Sequence, residues 1–115
     1  CVVVADLGRT HHVDDVAGLA ELAEPLGYSA IWCVEHHFDR EYSMCPDNIQ
    51  LLTYLAAKTE TVEIGSAILN IYSRTPGALL QTAAGLDNVS QGRAILGLVG
   101  LRAGERGPTG LDRSC

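Results

Sequence analysis

Residues that could carry chemistry are concentrated in one segment, Glu35-His36-His37-Phe38-Asp39-Arg40. This segment follows the apolar run Ala30-Ile31-Trp32-Cys33-Val34, whose composition is typical of a buried strand. A buried strand that ends in ionisable side chains is typical of the active-site edge of a parallel α/β fold. His36 is the best candidate for proton transfer, because an imidazole can gain or lose a proton near neutral pH. The alternative is an ordinary loop histidine with its hydrogen bonds satisfied.

The neighbours of His36 admit more than one role. Adjacent residues of a strand point to opposite faces, so Glu35 and His36 face the same way only if the backbone turns between them. Glu35 could instead form a loop ion pair with Arg40. The adjacent histidines at 11–12 and 36–37 could suggest zinc, but the usual ligand spacing is wider and lets two rings converge from one face. We therefore predict no metal site.

The composition limits the class of protein. The chain has 115 residues, of which 47% are hydrophobic and 19% charged, as in a soluble globular domain. Its net charge is −6 and its basic residues are scattered, which argues against a nucleic-acid partner. The longest apolar stretch, 94–101, is too short to span a membrane, and the first residues do not resemble a signal peptide. Cysteines at 1, 33, 45 and 115 form no CxxC pair, so we expect thiols in a reducing cytoplasm.

Apolar runs predict four strands separated by three amphipathic helices, an order that indicates an α/β fold with a parallel sheet. The predicted strands lie at 2–5, 29–34, 62–69 and 94–98. The buried face predicted for the first helix is Val16, Leu19, Ala20, Leu22, Ala23 and Leu26. The face predicted for the third helix is Leu79, Leu80, Ala83, Leu86 and Val89. The segment that follows the second strand, through Tyr42, Ser43 and Pro46, is predicted to be a loop.

Two parallel architectures fit this order, an open doubly wound sheet and a (β/α)8 barrel. A dinucleotide-binding sheet should carry G-x-G-x-x-G after its first strand, but residues 6–10 are Asp-Leu-Gly-Arg-Thr. The sequence also contains no P-loop motif. Both absences disfavour an open nucleotide-binding sheet, although they do not establish a barrel.

Three motifs resemble those of luciferase-like flavin monooxygenases, in the same order and with fitting spacing. Residues 27–38, Gly-Tyr-Ser-Ala-Ile-Trp-Cys-Val-Glu-His-His-Phe, are similar to the second strand of that family, and residues 64–68, Ile-Gly-Ser-Ala-Ile, to its third. Residues 86–93, Leu-Asp-Asn-Val-Ser-Gln-Gly-Arg, resemble a Leu-Asp-x-x-Ser-x-Gly-Arg motif before the fourth strand. The resemblance implies a TIM barrel of the (β/α)8 type, a partial barrel with about the first four β/α units in residues 1–100.

The resemblance also implies a cofactor and site residues. The implied cofactor is reduced FMN, or alternatively a deazaflavin, and the implied reaction inserts oxygen from O₂ into a small organic substrate, with a separate flavin reductase as partner. His36 matches a histidine that acts as acid or base near the flavin ring, and Glu35 matches a residue that helps to orient the flavin site. Ser66, Ala67 and Ile68 would approach the flavin through a bend at Ala67-Ile68 that can be a cis peptide. An ordinary strand end with small residues is the alternative.

Length is the main departure from the family. A full barrel takes roughly 250 residues, and the resemblance implies that the flavin phosphate is bound by the later half. The tail 101–115 resembles nothing in the family and is predicted to be irregular. The leading interpretation is a fragment of a luciferase-like flavin-dependent monooxygenase. The alternatives are a deazaflavin-dependent oxidoreductase on the same fold and a non-catalytic half-barrel that needs a partner. Open strand edges and an apolar interior predict that the chain self-associates.

Overall fold

The computed structural model describes residues 2–5, 12–39 and 43–99, so the tail predicted for 101–115 lies outside the described residues. In chain order the elements are β1 (Val2–Ala5), α1 (Val13–Ala23), β2 (Ala30–Cys33), β3 (His36–Asp39), β4 (Ser43–Cys45), α2 (Asn48–Lys58), β5 (Glu63–Asn70), α3 (Pro76–Ser90) and β6 (Ala94–Val99). The four predicted strands and three predicted helices are all present. None of these three helices meets the length and hydropathy that a bilayer span requires.

β1, β2, β5 and β6 form one parallel sheet in that order. Each strand is added beside the previous one, so the order does not reverse as it does at the switch point of a doubly wound sheet. The helices follow the same progression, since α1 packs on α2 and α2 packs on α3. The predicted α/β fold with a parallel sheet is therefore confirmed.

The core lies between the sheet and the helix layer. Ile31 of β2 and Ile64 of β5 are fully buried there. Leu52 and Leu55 of α2 belong to the same buried cluster, at the i, i+3 spacing of one helix face. This packing places α2 against β2 and β5, the two strands that lead to the predicted site residues.

The buried face predicted for α1 is wrong at its leucines. Leu19, Leu22 and Leu26 are 58%, 55% and 69% exposed. The residues that α1 buries are smaller: Val16, Ala17, Ala20 and Ala23. The helix carries apolar residues on adjoining stripes, and side chains of small size let it pack closely, so periodicity alone does not identify the buried stripe. The helix ends at Ala23, two residues before Pro25, whose missing N–H opposes a helical turn.

The face predicted for α3 is also wrong in part. Leu86 is buried as predicted, but Leu80 and Val89 are 71% and 43% exposed. Leu96 and Leu98 of the adjacent β6 are exposed as well. Because β6 is the last strand of the sheet, this side of the described fold carries apolar surface that no further element covers.

The segment predicted as a loop after β2 contains a β-hairpin. β3 and β4 pair antiparallel, with His36 opposite Cys45 and Asp39 opposite Ser43. The polar sequence of this segment lacks the apolar–polar alternation of a half-buried strand, so its pattern does not reveal the pairing. The hairpin forms a separate two-stranded sheet between β2 and α2 in the chain.

Candidate functional site

The predicted site residues lie where β2 and β5 reach the carboxyl edge of the parallel sheet. β2 ends at Cys33, and Glu35 and His36 follow it. The register partner of Cys33 in β5 is Ser66, which begins the predicted cofactor-binding segment 66–68. The fold therefore brings two segments that are distant in sequence to the same edge.

Glu35 is buried against an arginine to which the sequence pattern does not point. Arg74 Nη1 donates to Glu35 Oε1 at 3.2 Å and to Oε2 at 3.0 Å, and the Glu35 side chain is 2% exposed. Arg74 Nη2 lies 3.1 Å from Asp47 Oδ1, and the arginine side chain is 13% exposed. One planar guanidinium thus joins two carboxylates, a geometry that lysine cannot reproduce. The ion-pair partner predicted for Glu35, Arg40, lies outside the described residues.

Asn48, the first residue of α2, ties the two strands together at this edge. Its side chain is fully buried, and its Nδ2 donates to the carbonyl oxygens of Cys33 at 3.2 Å and Ile68 at 3.4 Å. These two bonds fix the end of β2 relative to the bend in β5. Within the described part of the chain, the Oδ1 atom of Asn48 is buried and has no hydrogen-bond partner.

β5 departs from regular strand geometry in the predicted segment. The peptide bond between Ala67 and Ile68 is cis, the feature that the family resemblance allows there. The pairing of β5 with β6 shifts between Ser66 and Leu69. Ser66 Oγ bridges the shift, because it accepts from Gly97 N at 3.0 Å and donates to Gly97 O at 3.2 Å. Ser66 is fully buried, whereas Ala67 is half-buried and Ile68 is 45% exposed.

Trp32 lies on the sheet face opposite the core. Its neighbours Ile31 and Cys33 belong to the buried cluster, so strand alternation places the indole on the other face. Trp32 and Gly65 are register partners, and a Cβ atom at position 65 would lie 2.6 Å from Trp32 Cε3. Glycine at position 65 therefore makes room for the indole beside the bend in β5.

His36 is half-buried and begins β3, opposite Cys45 of β4. Residues 34–35 separate β2 from β3, so the strict alternation of a single continuous strand does not apply to Glu35 and His36. In the described part of the chain, no group of three or more His, Cys, Asp or Glu side chains is arranged to hold a metal ion.

The motif at residues 86–93 lies at the opposite edge of the sheet. Arg93 directly precedes β6 and donates to the Thr59 hydroxyl and to four backbone carbonyls, those of Ala56, Thr59, Val62 and Ser90. Carbonyls at helix ends lack intrahelical partners. Arg93 satisfies such groups at the ends of α2 and α3, so this part of the motif holds the fold together and does not reach the candidate site.

Arg74, Asp47 and Asn48 were missed because nothing in their spacing links them to Glu35 or His36. Each lies where a helix starts after a strand of the sheet: Asp47 and Asn48 at α2, and Arg74 just before the Thr75-Pro76 start of α3. In alternating β/α units such starts face the carboxyl edge of the sheet. Polar residues at predicted helix starts are therefore the signal that could have identified them.

Comparison with known proteins gives consistent matches. A family model described as luciferase-like monooxygenase matches residues 3–107. The 5,10-methylenetetrahydromethanopterin reductase of Methanolobus tindarius is 34% identical over 83 residues, which cover 72% of this chain and 24% of the relative. The chain thus spans about a quarter of the length of the curated relatives it matches.

Two solved structures share the fold at similar identity. Monooxygenase RslO1 from Streptomyces bottropensis matches with a TM-score of 0.74 and 32% identity, over 81% of this chain and 28% of that one. The coenzyme F420-dependent tetrahydromethanopterin reductase from Methanopyrus kandleri matches with a TM-score of 0.68 and 30% identity, over 84% and 26%. Because the family model covers most of the sequence and both folds agree with it, this chain belongs to the luciferase-like monooxygenase family of oxidoreductases.

Proposed function

We propose that residues 1–100 form about the first four β/α units of a luciferase-like (β/α)8 barrel, and that the complete barrel is a flavin-dependent monooxygenase. The observation that carries the proposal is the common edge at which Glu35, His36 and the segment 66–68 lie. Catalytic residues of such barrels come from the carboxyl ends of several strands. The sequential strand order and the continuous helix layer support a barrel over an open sheet.

The proposed cofactor is reduced FMN, which when bound supplies the electrons that activate molecular oxygen. Ala67 and Ile68 fit a flat ring because they present small or apolar side chains at the edge. Ser66 supports them by holding the bend to β6, and Glu35 orients the site through Arg74. Asn48 donates through Nδ2 to the Ile68 carbonyl and also carries a buried Oδ1 atom. This oxygen offers a hydrogen-bond acceptor beside the segment 66–68.

His36 is the proposed acid–base residue. Its half-buried imidazole, at the start of the hairpin that follows β2, can hold or release a proton near neutral pH. The proposed substrates are a small organic molecule and O₂, with reduced flavin delivered by a separate reductase. The proposed location is the cytoplasm, because the four cysteines form no CxxC pair and no disulfide framework is expected from so few.

A deazaflavin-dependent oxidoreductase is the second candidate. It is supported by the 30% identity to the coenzyme F420-dependent reductase from Methanopyrus kandleri, which is close to the 32% identity to the monooxygenase RslO1. Ala67 and Ile68 present apolar groups that suit a deazaflavin ring as well as a flavin ring.

Two chimeric barrels test the proposal. Residues 2–99 replace the matching segment of RslO1 in one chimera and of the Methanopyrus kandleri reductase in the other. We expect oxygen-dependent turnover with reduced FMN in the first chimera and little turnover with the deazaflavin in the second. The reverse result would assign the reductase function, and two folded but inactive chimeras would contradict both candidates.

His36→Ala in the active chimera tests the assigned role. Turnover should fall by about 10²-fold or more, the usual scale for a lost acid–base group. Flavin affinity should stay nearly constant, because a proton donor at the ring edge contributes little to ground-state binding. His37→Ala is the control, since it removes the neighbouring imidazole of the same histidine pair. Equal losses in both variants would mean that His36 has a structural role.

A further inference from the structure

Two cysteines that lie 12 positions apart in the sequence are in contact in the folded chain. Cys33 ends β2 and Cys45 ends β4, and their Sγ atoms lie 3.7 Å apart. Both side chains are buried, with exposed fractions of 0% and 1%. The sulfurs are in van der Waals contact, and a disulfide would bring them to a bonding distance of about 2.05 Å.

We propose that Cys33 and Cys45 form a redox-active dithiol whose substrate class is small peroxides. The thiolate of one cysteine attacks a peroxide oxygen, which cleaves the O–O bond, forms a sulfenic acid and releases water or an alcohol. The second thiol then attacks the sulfenic sulfur and releases water, which leaves a disulfide. In balance, two thiols lose two electrons and two protons, and one peroxide is reduced.

The backbone on both sides of the pair is held by contacts with neighbouring elements. Asn48, three residues after Cys45, donates to the carbonyl oxygen of Cys33 at 3.2 Å. Cys45 is also fixed on its other side, because it pairs with His36 in the hairpin. Bond formation would shorten the sulfur–sulfur distance from 3.7 Å to about 2.05 Å between two strand ends that these contacts hold.

Burial sets which oxidants can react. Buried thiols are usually inert, since reactivity follows access and thiolate character, so this pair can react only with an oxidant small enough to reach the sulfurs. A second sulfur in contact acts as the resolving group, which traps the first oxidation product as a disulfide before it is oxidised further. A small peroxide should therefore convert the pair, while a large aromatic disulfide reagent should react slowly with the folded chain.

The bond would close a ring around the candidate site. Cys33 and Cys45 are separated by 12 positions, and the segment between them contains Glu35 and His36. Oxidation would join the end of β2 to the hairpin that carries His36. The inference does not depend on the proposed monooxygenase function, because it rests only on the contact of the two sulfurs.

Mass spectrometry of the 115-residue chain tests the proposal. Cys1→Ser and Cys115→Ser remove the two terminal thiols, and the folded chain is treated with hydrogen peroxide and then alkylated in denaturant. We expect a mass loss of about 2 Da, no alkylation and a Cys33–Cys45 cross-linked peptide. The far-ultraviolet circular dichroism spectrum should be retained, and a reductant should restore both thiols.

Cys45→Ala in the same background is the matched control. It should show no mass loss of this kind and should instead gain oxygen at Cys33 or remain alkylatable. The proposal is overturned if the parent chain only gains oxygen atoms, keeps both thiols, forms its disulfide between chains, or loses its native spectrum as the bond forms.

Discussion

Arg74 holds the side chains of the candidate site in place at the carboxyl edge of the sheet. It donates two hydrogen bonds to Glu35, whose side chain is 2% exposed, and it also contacts Asp47. Losing a charged hydrogen-bond partner of a buried group costs about 1.5–3 kcal/mol. We therefore expect Arg74→Ala to lower the free energy of unfolding by about 2 kcal/mol in urea denaturation. Arg74→Lys should recover only part of this, because an ammonium group lacks the planar fork.

An exposed ion pair provides the control for Arg74. Lys58 Nζ lies 4.0 Å from Glu21 Oε1, and the two side chains are 43% and 53% exposed. Pairs of this kind contribute about 0–1 kcal/mol, so Lys58→Ala should change stability much less than Arg74→Ala. If the two variants lose a similar free energy of unfolding, the contacts of Arg74 stabilise the fold no more than an exposed ion pair does.

Glu24, just after α1, links stability to pH. Its carboxylate accepts the backbone N–H groups of Glu60, Thr61 and Val62 and the Thr61 hydroxyl. Burial alone would raise its pKa, but the hydrogen bonds from Thr61, Val62 and Glu60 outweigh burial and hold the pKa at about 2, against 4.5 ordinarily. Because the folded-state pKa is depressed, the carboxylate stabilises the fold above pH 4.5, and this contribution is lost as pH falls towards about 2.

Glu24→Gln tests this linkage. The variant should melt at a lower temperature than the parent at pH 7, because the amide oxygen is a weaker acceptor than a carboxylate. The difference should shrink as pH falls below 4.5 and disappear near pH 2. Thermal melts from pH 2 to 7 give the result, with Glu21→Gln as the control for one lost charge. A difference that is independent of pH would refute the linkage.

At the residue scale the sequence identifies only part of the site edge. Glu35 and His36 stand out because they directly follow an apolar strand. Arg74 lies 39 positions from Glu35, and no local pattern connects them. Asn48 is similar, since its contacts with Cys33 and Ile68 depend on how α2 packs behind two strands. Such long-range pairs become predictable only once the fold is known.

At the element scale, strands are predicted better than helix faces. Buried parallel strands are continuous apolar runs, which the sequence displays directly at 30–33 and, within β5, at 67–69. α1 carries more apolar residues than one face can bury, so periodicity does not separate Ala20 from Leu22. The β3–β4 hairpin is held by backbone pairing of polar segments, which leaves no period in the side chains.

Gly97 marks the closest approach between β5 and β6. A Cβ atom at position 97 would lie 2.4 Å from the carbonyl oxygen of Ser66, a backbone atom that cannot rotate away. We expect Gly97→Ala to lower the free energy of unfolding by about 1–3 kcal/mol, the scale of overpacking. Urea denaturation measures the change, and the Ser66–Gly97 hydrogen bonds should weaken with it.

Gly85 offers the matched comparison in α3. A Cβ atom there meets nothing within 4 Å, and an alanine inside a helix is favoured over glycine by about 1 kcal/mol. Gly85→Ala should therefore keep or raise stability. A Gly97→Ala variant as stable as the parent would mean that β6 can shift away from Ser66 without cost.

At the scale of the whole molecule, the parallel direction of the four sheet strands follows from the β/α alternation in the sequence, but their sequential order does not, because the same alternation fits a doubly wound sheet. What the alternation does not specify is how the sheet is completed. The motifs of the luciferase-like family supply that information, and the chain spans about a quarter of its curated relatives. Apolar side chains of β6 and α3 are exposed in the described fold, which has a consequence in solution.

We expect the 115-residue chain to self-associate. Leu96, Leu98 and Val99 of the edge strand β6 are 37%, 56% and 39% exposed, and Leu80 of α3 is 71% exposed. An edge strand with apolar side chains is a template for pairing with another chain. Size-exclusion chromatography with light scattering at micromolar concentration should give two or more chains of 12.2 kDa.

Charged substitutions locate the surface that drives this association. Leu96→Lys combined with Leu98→Lys places two cations on the edge strand, where charge opposes strand pairing, and should shift the chain towards the monomer. Asn88→Lys, at an exposed position of α3, adds one positive charge outside the edge strand and should leave the assembly unchanged. Since both positions on β6 are already exposed, the double variant should retain the circular dichroism spectrum of the parent. If light scattering gives the mass of a single chain and that chain unfolds cooperatively, the prediction is wrong. The edge strand β6 would then need no second chain to cover it.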